Sequence, residues 1–389
     1  MHVKTIILPS LLGLALMPTM GAALEPIEQL GKNLFFDSNL STPPGQSCAA
    51  CHAPETGFTG PTSAINAGIA VYPGAIHNRF GNRKPPTAAY GGDSPLLNYD
   101  EAEEVWIGGM FWDGRATGWT LGDPLAEQAQ GPFLNNLEQN MPHVKQVIRR
   151  VAKSNYAGLF EEVWGPGSLD DKKDVAGTYE RIARSIAAYE RSSEVNPFSS
   201  KYDFYLKGEA TLTPQEASGL ALFEGKAMCS ACHISQPGLD GKPPLFTDFT
   251  YDNLGIPKNP KNPFYSAPKS VNRDGKNWVD PGLGGFLQSF LSNYESELGK
   301  HKVPTLRNVD LRPTPDFVKA YGHNGYFKSL EEIVHFYNTR DVPGAGWPAP
   351  EVPQNVNTDE LGNLGLTADE EAAIVAFMKT LSDGYTPTP

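Results

Sequence analysis

Apolar residues recur at helical spacing in several stretches of the chain. Ile27, Leu30, Leu34 and Phe35 predict a first helix over Pro26–Phe36. Met141 to Phe160 reads as another, and so does Asp171 to Arg191, where Val175, Tyr179, Ile182, Ile186 and Tyr189 form one stripe. Thr213-Pro214-Gln215-Glu216 is a capping box with proline at the first helical position, and its helix carries Leu220 and Phe223. Ser329…Glu332 opens a helix through Tyr337. Thr367…Glu370 opens a last one through Leu381, with Ile374, Phe377, Met378 and Leu381 on its apolar side. No stretch shows a strong period of two. The 34 prolines and 39 glycines predict long structured loops, above all from His52 to about Tyr99. Aromatic residues then crowd together at Trp106, Phe111, Trp112 and Trp119. The expected class is mainly α.

Two of the predicted helices lead into the same pentapeptide pattern, Cys48-Ala49-Ala50-Cys51-His52 and Cys229-Ser230-Ala231-Cys232-His233. C-x-x-C-H is the attachment signature of haem c: two thiols take the vinyl groups and the adjacent imidazole takes the iron. The chain has four cysteines and these motifs use them all, which argues against a redox dithiol or half a zinc site. Two covalently bound haems c are therefore expected, with His52 and His233 as iron ligands. The recurrence of helix then motif predicts a duplicated cytochrome c-like domain, 24–200 and 201–389, with its boundary near Asn196–Lys207.

Residues 1–23 read as a secretory signal peptide: a basic start, an apolar run from Ile6 to about Met17, and Gly21-Ala22-Ala23 before the cut. Read as a membrane span the run is too short and is interrupted by Pro9 and Pro18. The expected location is the periplasm or its surface. A net charge of −12 argues against nucleic acid or an anionic membrane as partner.

The ligand opposite each histidine is less plain. After the signal peptide the methionines are Met110, Met141, Met228 and Met378. Met228 abuts its own attachment site, and Met378 falls on the apolar face of the last helix, where packing is the simpler reading. On the helix from Ser329, Ile333, Val334 and Tyr337 fall within roughly 60° of Leu330, whereas His335 lies about 140° away. Tyr337 thus faces inward. Geometry alone leaves it as packing or as a ligand.

Phe111-Trp112-Asp113-Gly114-Arg115-Ala116, Gln128-Ala129-Gln130-Gly131-Pro132, Val303-Pro304-Thr305-Leu306-Arg307-Asn308-Val309 and His323-Asn324-Gly325 resemble the bacterial dihaem cytochrome c peroxidases over nearly the whole mature chain. In that family the residue fourteen after the turn histidine ligates the second iron. Here that residue is Tyr337, as in the MauG-like branch, where the typical peroxidase has methionine. The resemblance also implies Gln128 and Glu138 in the distal pocket of the first haem and Trp112 between the haems. About six residues are inserted between Arg115 and Gln128. At the family's calcium-ligand asparagine stands Lys84, which cannot ligate calcium and whose ammonium can occupy the cation's place. The other family contacts are backbone carbonyls, here of Val318 and Ala320. This departure puts calcium in doubt. MauG's surface tryptophan before the second attachment site is Ala227 here.

The resemblance implies a hydrogen-peroxide-dependent oxidoreductase. Glu138 would shuttle a proton, Gln128 orient the peroxide, and Trp112 couple the haems as a bis-ferryl pair. A tyrosine ligand makes the second haem a store for an oxidising equivalent, because thioether favours ferrous iron and phenolate ferric. The electrons would come from a tryptophan on a periplasmic partner protein, a copper-binding one being the favoured kind. Trp164, Trp278 and Trp347 are candidate exits. The alternative is a peroxidase that reduces peroxide to water with electrons from a small cytochrome or cupredoxin.

Overall fold

The computed structural model describes residues 23–239 and 241–387, so the stretch 1–23 expected to be a signal peptide lies outside the described residues apart from Ala23. Helices α1 (Pro26–Phe36), α2 (Ser63–Ala67), α3 (Pro124–Leu134), α4 (Val144–Val151), α5 (Ala157–Trp164) and α6 (Val175–Arg191) make up the first half. The second half has α7 (Lys201–Leu206), α8 (Pro214–Glu224), α9 (Gly282–Leu287), α10 (Leu330–Thr339) and α11 (Ala368–Lys379). Two small antiparallel pairs complete the chain, β1 (Asn98–Asp100) with β2 (Val105–Ile107) and β3 (Tyr251–Asp252) with β4 (His301–Lys302). The class is mainly α, as expected.

The apolar core divides into two large clusters. One gathers Leu30, Leu34 and Phe35 of α1 with Ile182, Ile186 and Tyr189 of α6. The other gathers Phe223 of α8 with Ile374, Phe377 and Met378 of α11. Each is closed by the same device. A Cβ on Gly31 would stand 1.8 Å from the Ser185 carbonyl oxygen, and one on Gly219 would stand 1.9 Å from that of Ala373. Each glycine lets the helix that leads into a C-x-x-C-H motif touch the backbone of the last helix of its half, and each crossing continues onto an aromatic four residues on, Tyr189 or Phe377.

The halves are bolted together by buried polar contacts. Arg307, held within the second half by Asp203 at 2.9 and 3.0 Å, lays its guanidinium over Phe198 and Tyr90 of the first half. Asp383 accepts from Tyr90 Oη at 2.6 Å and from Asn308 Nδ2 at 2.8 Å.

Some expectations change at element boundaries. The stretch 141–160 is two helices, because Ser154 Oγ donates back to the Val151 carbonyl and the chain turns through 152–156 before α5. The stripe from Asp171 begins at Val175, where the Asp174 carboxylate caps Gly177 N. Helix α3 and both strand pairs were not foreseen. Helix α3 has a weak apolar stripe and carries Pro132, and the strands are too short for a period to show.

Candidate haem sites and the residues between them

Both C-x-x-C-H motifs form a tight turn that brings the histidine back over the first cysteine. His52 N donates to Cys48 O at 3.0 Å, and His233 N to Cys229 O at 2.9 Å. Each imidazole is then oriented through Nδ1: the Phe58 carbonyl lies 3.1 Å from that of His52, and the Phe246 carbonyl 2.8 Å from that of His233. Nδ1 carries the proton and Nε2 keeps its lone pair, as iron ligation requires. Burial lowers the pKa of both, that of His52 to about 4, so both rings are neutral near pH 7.

The carbonyls are themselves positioned alike. Phe58 and Phe246 are held at φ 56° and 55°. Just before them, Gly57 O accepts from Thr87 Oγ1 at 2.8 Å and Leu245 O from Thr305 Oγ1 at 2.6 Å. Pro86-Thr87 and Pro304-Thr305 are therefore a second repeat, legible in the sequence as a shared dipeptide but not singled out there as one.

A single cavity runs along the second motif. Cys229, Cys232, His233, Tyr337 and Met378 line it, and it continues past Trp112 to Gly57 and Thr59 beside the first motif. The Tyr337 phenol oxygen has no hydrogen-bond partner among the described residues, and burial raises its pKa, followed by the nearby Cys229, Asp252 and Cys232. His335 lies on the outside of α10, paired with Glu371 at 3.0 Å. The cavity's other end presents Lys84, His301, Lys302 and His323. The rings of His301 and His323 stack at 3.6 Å, and both Nε2 atoms are buried without a hydrogen-bond partner. Asp280, 3.4 Å from His301 Nε2, has both carboxylate oxygens taken by the Arg83 guanidinium, at 2.6 and 2.7 Å, which leaves no free carboxylate in this group for a divalent metal. The Lys84 and Lys302 amines suit the carboxylates that a haem carries, and the donor set as a whole fits two haems c.

Around the first motif, α3 leads into a turn that fixes Glu138. Asp123 caps α3 at Leu125 N, and Glu127 ties down the inserted loop by accepting from Gly118 N and Thr120 N, both at 2.6 Å. Gln128 lies half-buried on α3, one turn before Pro132. The Glu138 carbonyl accepts from Ala75 N at 2.7 Å and its carboxylate from Asn135 Nδ2 at 2.7 Å. Burial raises the Glu138 pKa, with Arg115 opposing, and its charge is felt by both Cys48 and Cys51. Trp112 is 8% exposed. Its indole donates to Lys84 O at 2.9 Å, and its ring meets that of His323 edge-on at 6.5 Å.

The expected calcium position does not suit the ion. Lys84 Nζ is buried there, donating to Pro85 O at 3.1 Å, with its pKa lowered to about 8 by burial. The Val318 carbonyl is engaged by Asn66 Nδ2 at 3.0 Å. Lys319, between the two family carbonyls, donates to Thr56 O, Asn308 O and Leu311 O at 2.8–2.9 Å. Two buried ammonium groups stand where a divalent ion would need anionic oxygen ligands.

The three candidate exit tryptophans are all part-buried. Trp164 Nε1 donates to Ser185 Oγ at 3.0 Å, Trp347 Nε1 to Thr339 Oγ1 at 2.9 Å, and Trp278 packs on Phe264 at 4.8 Å. Ala227 is buried. Among the described residues no helix is long and apolar enough to cross a membrane.

Comparison with known proteins agrees with this arrangement. A family profile described as di-haem cytochrome c peroxidase matches residues 25–211. The chain is 35% identical to the methylamine utilization protein MauG of Paracoccus denitrificans, over 95% of this chain and 93% of that one. The diheme peroxidase BthA from Burkholderia thailandensis superposes with a TM-score of 0.77 at 30% identity, covering 94% of this chain and 90% of that one. A MauG-like protein associated with microbial copper homeostasis superposes at 0.62 with 25% identity, covering 97% and 95%. With that similarity along its whole length and two neutral, carbonyl-oriented histidines beside paired thiols, the chain belongs to the di-haem cytochrome c peroxidase/MauG family of oxidoreductases.

Proposed function

We propose that this chain is a periplasmic, hydrogen-peroxide-dependent oxidase that draws its electrons from a tryptophan on a partner protein. The observation that carries this reading is Tyr337, an unpartnered phenol on the cavity wall that also holds His233. The bound haems supply the peroxide chemistry and the storage of oxidising equivalents. Tyr337 would hold the second haem through a phenolate oxygen, which would favour its oxidised states where a thioether would favour the reduced one. Residues 24–200 would hold the reactive haem and residues 201–389 the storing one.

The roles of the protein follow from their surroundings. Glu138, ionised, takes a proton from the bound peroxide and returns it to the far oxygen, so that water is the leaving group. Asn135 holds the carboxylate for that transfer. Gln128 orients the substrate. Trp112, fixed through Lys84 O, lies on the path between the two halves. Peroxide takes two electrons and two protons to give two waters; the electrons come from the partner's indole. The likeness to the MauG-like protein of copper homeostasis supports a copper-binding partner.

Adding one equivalent of peroxide to the purified diferric protein, with optical and Mössbauer detection, tests the reading. An oxidised species that forms without pre-reduction is the expected result, and its absence would sink the proposal. The likeness to BthA, a diheme peroxidase by name, favours the alternative of a detoxifying peroxidase fed by a small cytochrome or cupredoxin. That enzyme would need the pre-reduced state.

A further inference from the structure

Of the six tryptophans only Trp119 is exposed, at 52%. It does not stand alone. Its ring meets Phe290 edge-on at 5.6 Å, and Phe290 is itself 48% exposed. Leu96 and Tyr99 are similarly exposed, and Tyr99 packs on Trp106 at 5.5 Å across the β1–β2 pair. The patch is rigid, because the Trp119 indole donates to Leu97 O at 2.7 Å and the small buried cluster Leu97, Tyr251, Leu283 and Leu287 lies beneath.

The turn of this hairpin is Glu101-Ala102-Glu103-Glu104, all exposed, and none of its three glutamates forms an ion pair among the described residues. Rigid aromatic side chains with little rotamer entropy to lose, beside unpaired like charges, have the composition of a protein-binding surface. Strand β2 also runs directly into Gly108, whose carbonyl accepts from Tyr251 Oη at 2.5 Å and Lys302 Nζ at 2.9 Å. The turn that follows presents Trp112 inward, closes through the Met110–Ala116 bridge, and emerges at Trp119.

We propose that this face, Leu96, Tyr99, Trp119 and Phe290 with the acidic hairpin at its edge, is the docking surface for the electron-donating protein. This rests on the function proposed above. The partner's contact surface has an apolar centre ringed by lysine and arginine, the complement of the glutamate rim. A second copy of this chain does not fit, because a twofold contact through this face would set glutamates against glutamates. An anionic membrane is repelled by the same charges.

The test uses the dihaem holoenzyme and, as probe, a lysine-rich mitochondrial cytochrome c, whose exposed haem edge is ringed by lysines. Binding of the ferric probe is measured by calorimetry at low and high salt, without peroxide, so its outcome is independent of the oxidase reading. Carbodiimide cross-linking with mass spectrometry locates the contact. The expected results are salt-sensitive binding, cross-links at Glu101, Glu103 or Glu104, and at least tenfold weaker binding in the triple Glu→Lys variant. Trp119→Ala should weaken binding by a similar factor while leaving peroxide reactivity with ascorbate unchanged. No binding, binding unchanged in the triple variant, or cross-links confined to other faces would overturn the proposal. Failure of the peroxide titration with intact docking would instead reject the oxidase reading alone.

Discussion

Replacing Glu138 with glutamine isolates the proton transfer. The amide keeps the shape and the hydrogen bond from Asn135 Nδ2, 2.7 Å away, so the turn on Ala75 N should hold. What is lost is the ability to accept a proton. A positioned general acid–base contributes about 10²–10⁴-fold, which corresponds to about 2.7–5.4 kcal/mol at 1.36 kcal/mol per tenfold. Stopped-flow mixing of the diferric protein with peroxide should show the second-order rate constant falling by that factor in Glu138→Gln. The wild-type pH profile carries the second signature. The carboxylate is the active form, and burial raises its pKa above the ordinary 4.5. The rate should therefore fall as pH is lowered, with its midpoint above 4.5, and the variant should lack this limb. A variant within threefold of wild type, or a midpoint at or below 4.5, would refute the assignment.

Other predictions concern the second haem, the cation position and the core. Tyr337→Met should raise the potential of the second haem and change its optical spectrum; an unchanged spectrum would remove Tyr337 from the ligand set. Exhaustive chelation should leave the optical spectra and peroxide reactivity unaltered, with no calcium in elemental analysis of active protein, because Lys84 and Lys319 already place ammonium groups there. Glu190 is buried with Oε2 unpartnered and its pKa pushed up to about 8, chiefly by burial. The native state thus retains a proton that the unfolded chain loses above about 4.5. Stability is full below that pH and declines as pH rises to about 8, at up to ~1.4 kcal/mol per unit. Chemical denaturation should show Glu190→Gln gaining on wild type across that window, and a constant difference would contradict it. Arg307→Met should cost about 3–5 kcal/mol in the same assay, since it leaves Asp203 buried and unpaired.

The local chemistry of this protein was legible in its sequence because covalent and capping rules act over a few residues. C-x-x-C-H names a cofactor by spacing alone, and the capping boxes at Thr213 and Thr367 open helices where the structure has them. At Ser329 the hydroxyl caps Glu332 N as read, but the Glu332 carboxylate reaches Lys328 N. Helix α3 was opaque, since its apolar stripe is weak and a proline sits within it. The crossings at Gly31 and Gly219 were hidden for another reason: a glycine inside a helix announces a close approach only when the approaching backbone is known.

The sequence by itself determined the two C-x-x-C-H turns, the helical class and the inward face of Tyr337, all consequences of short-range periodicity and residue chemistry. Only the tertiary structure decided which groups meet. It brings Lys84 and Lys319 to the expected calcium position, stacks His301 on His323, and turns Trp119 outward while Trp112 turns in. Those outcomes depend on contacts between residues far apart along the chain, and spacing along one strand of sequence carries no record of them.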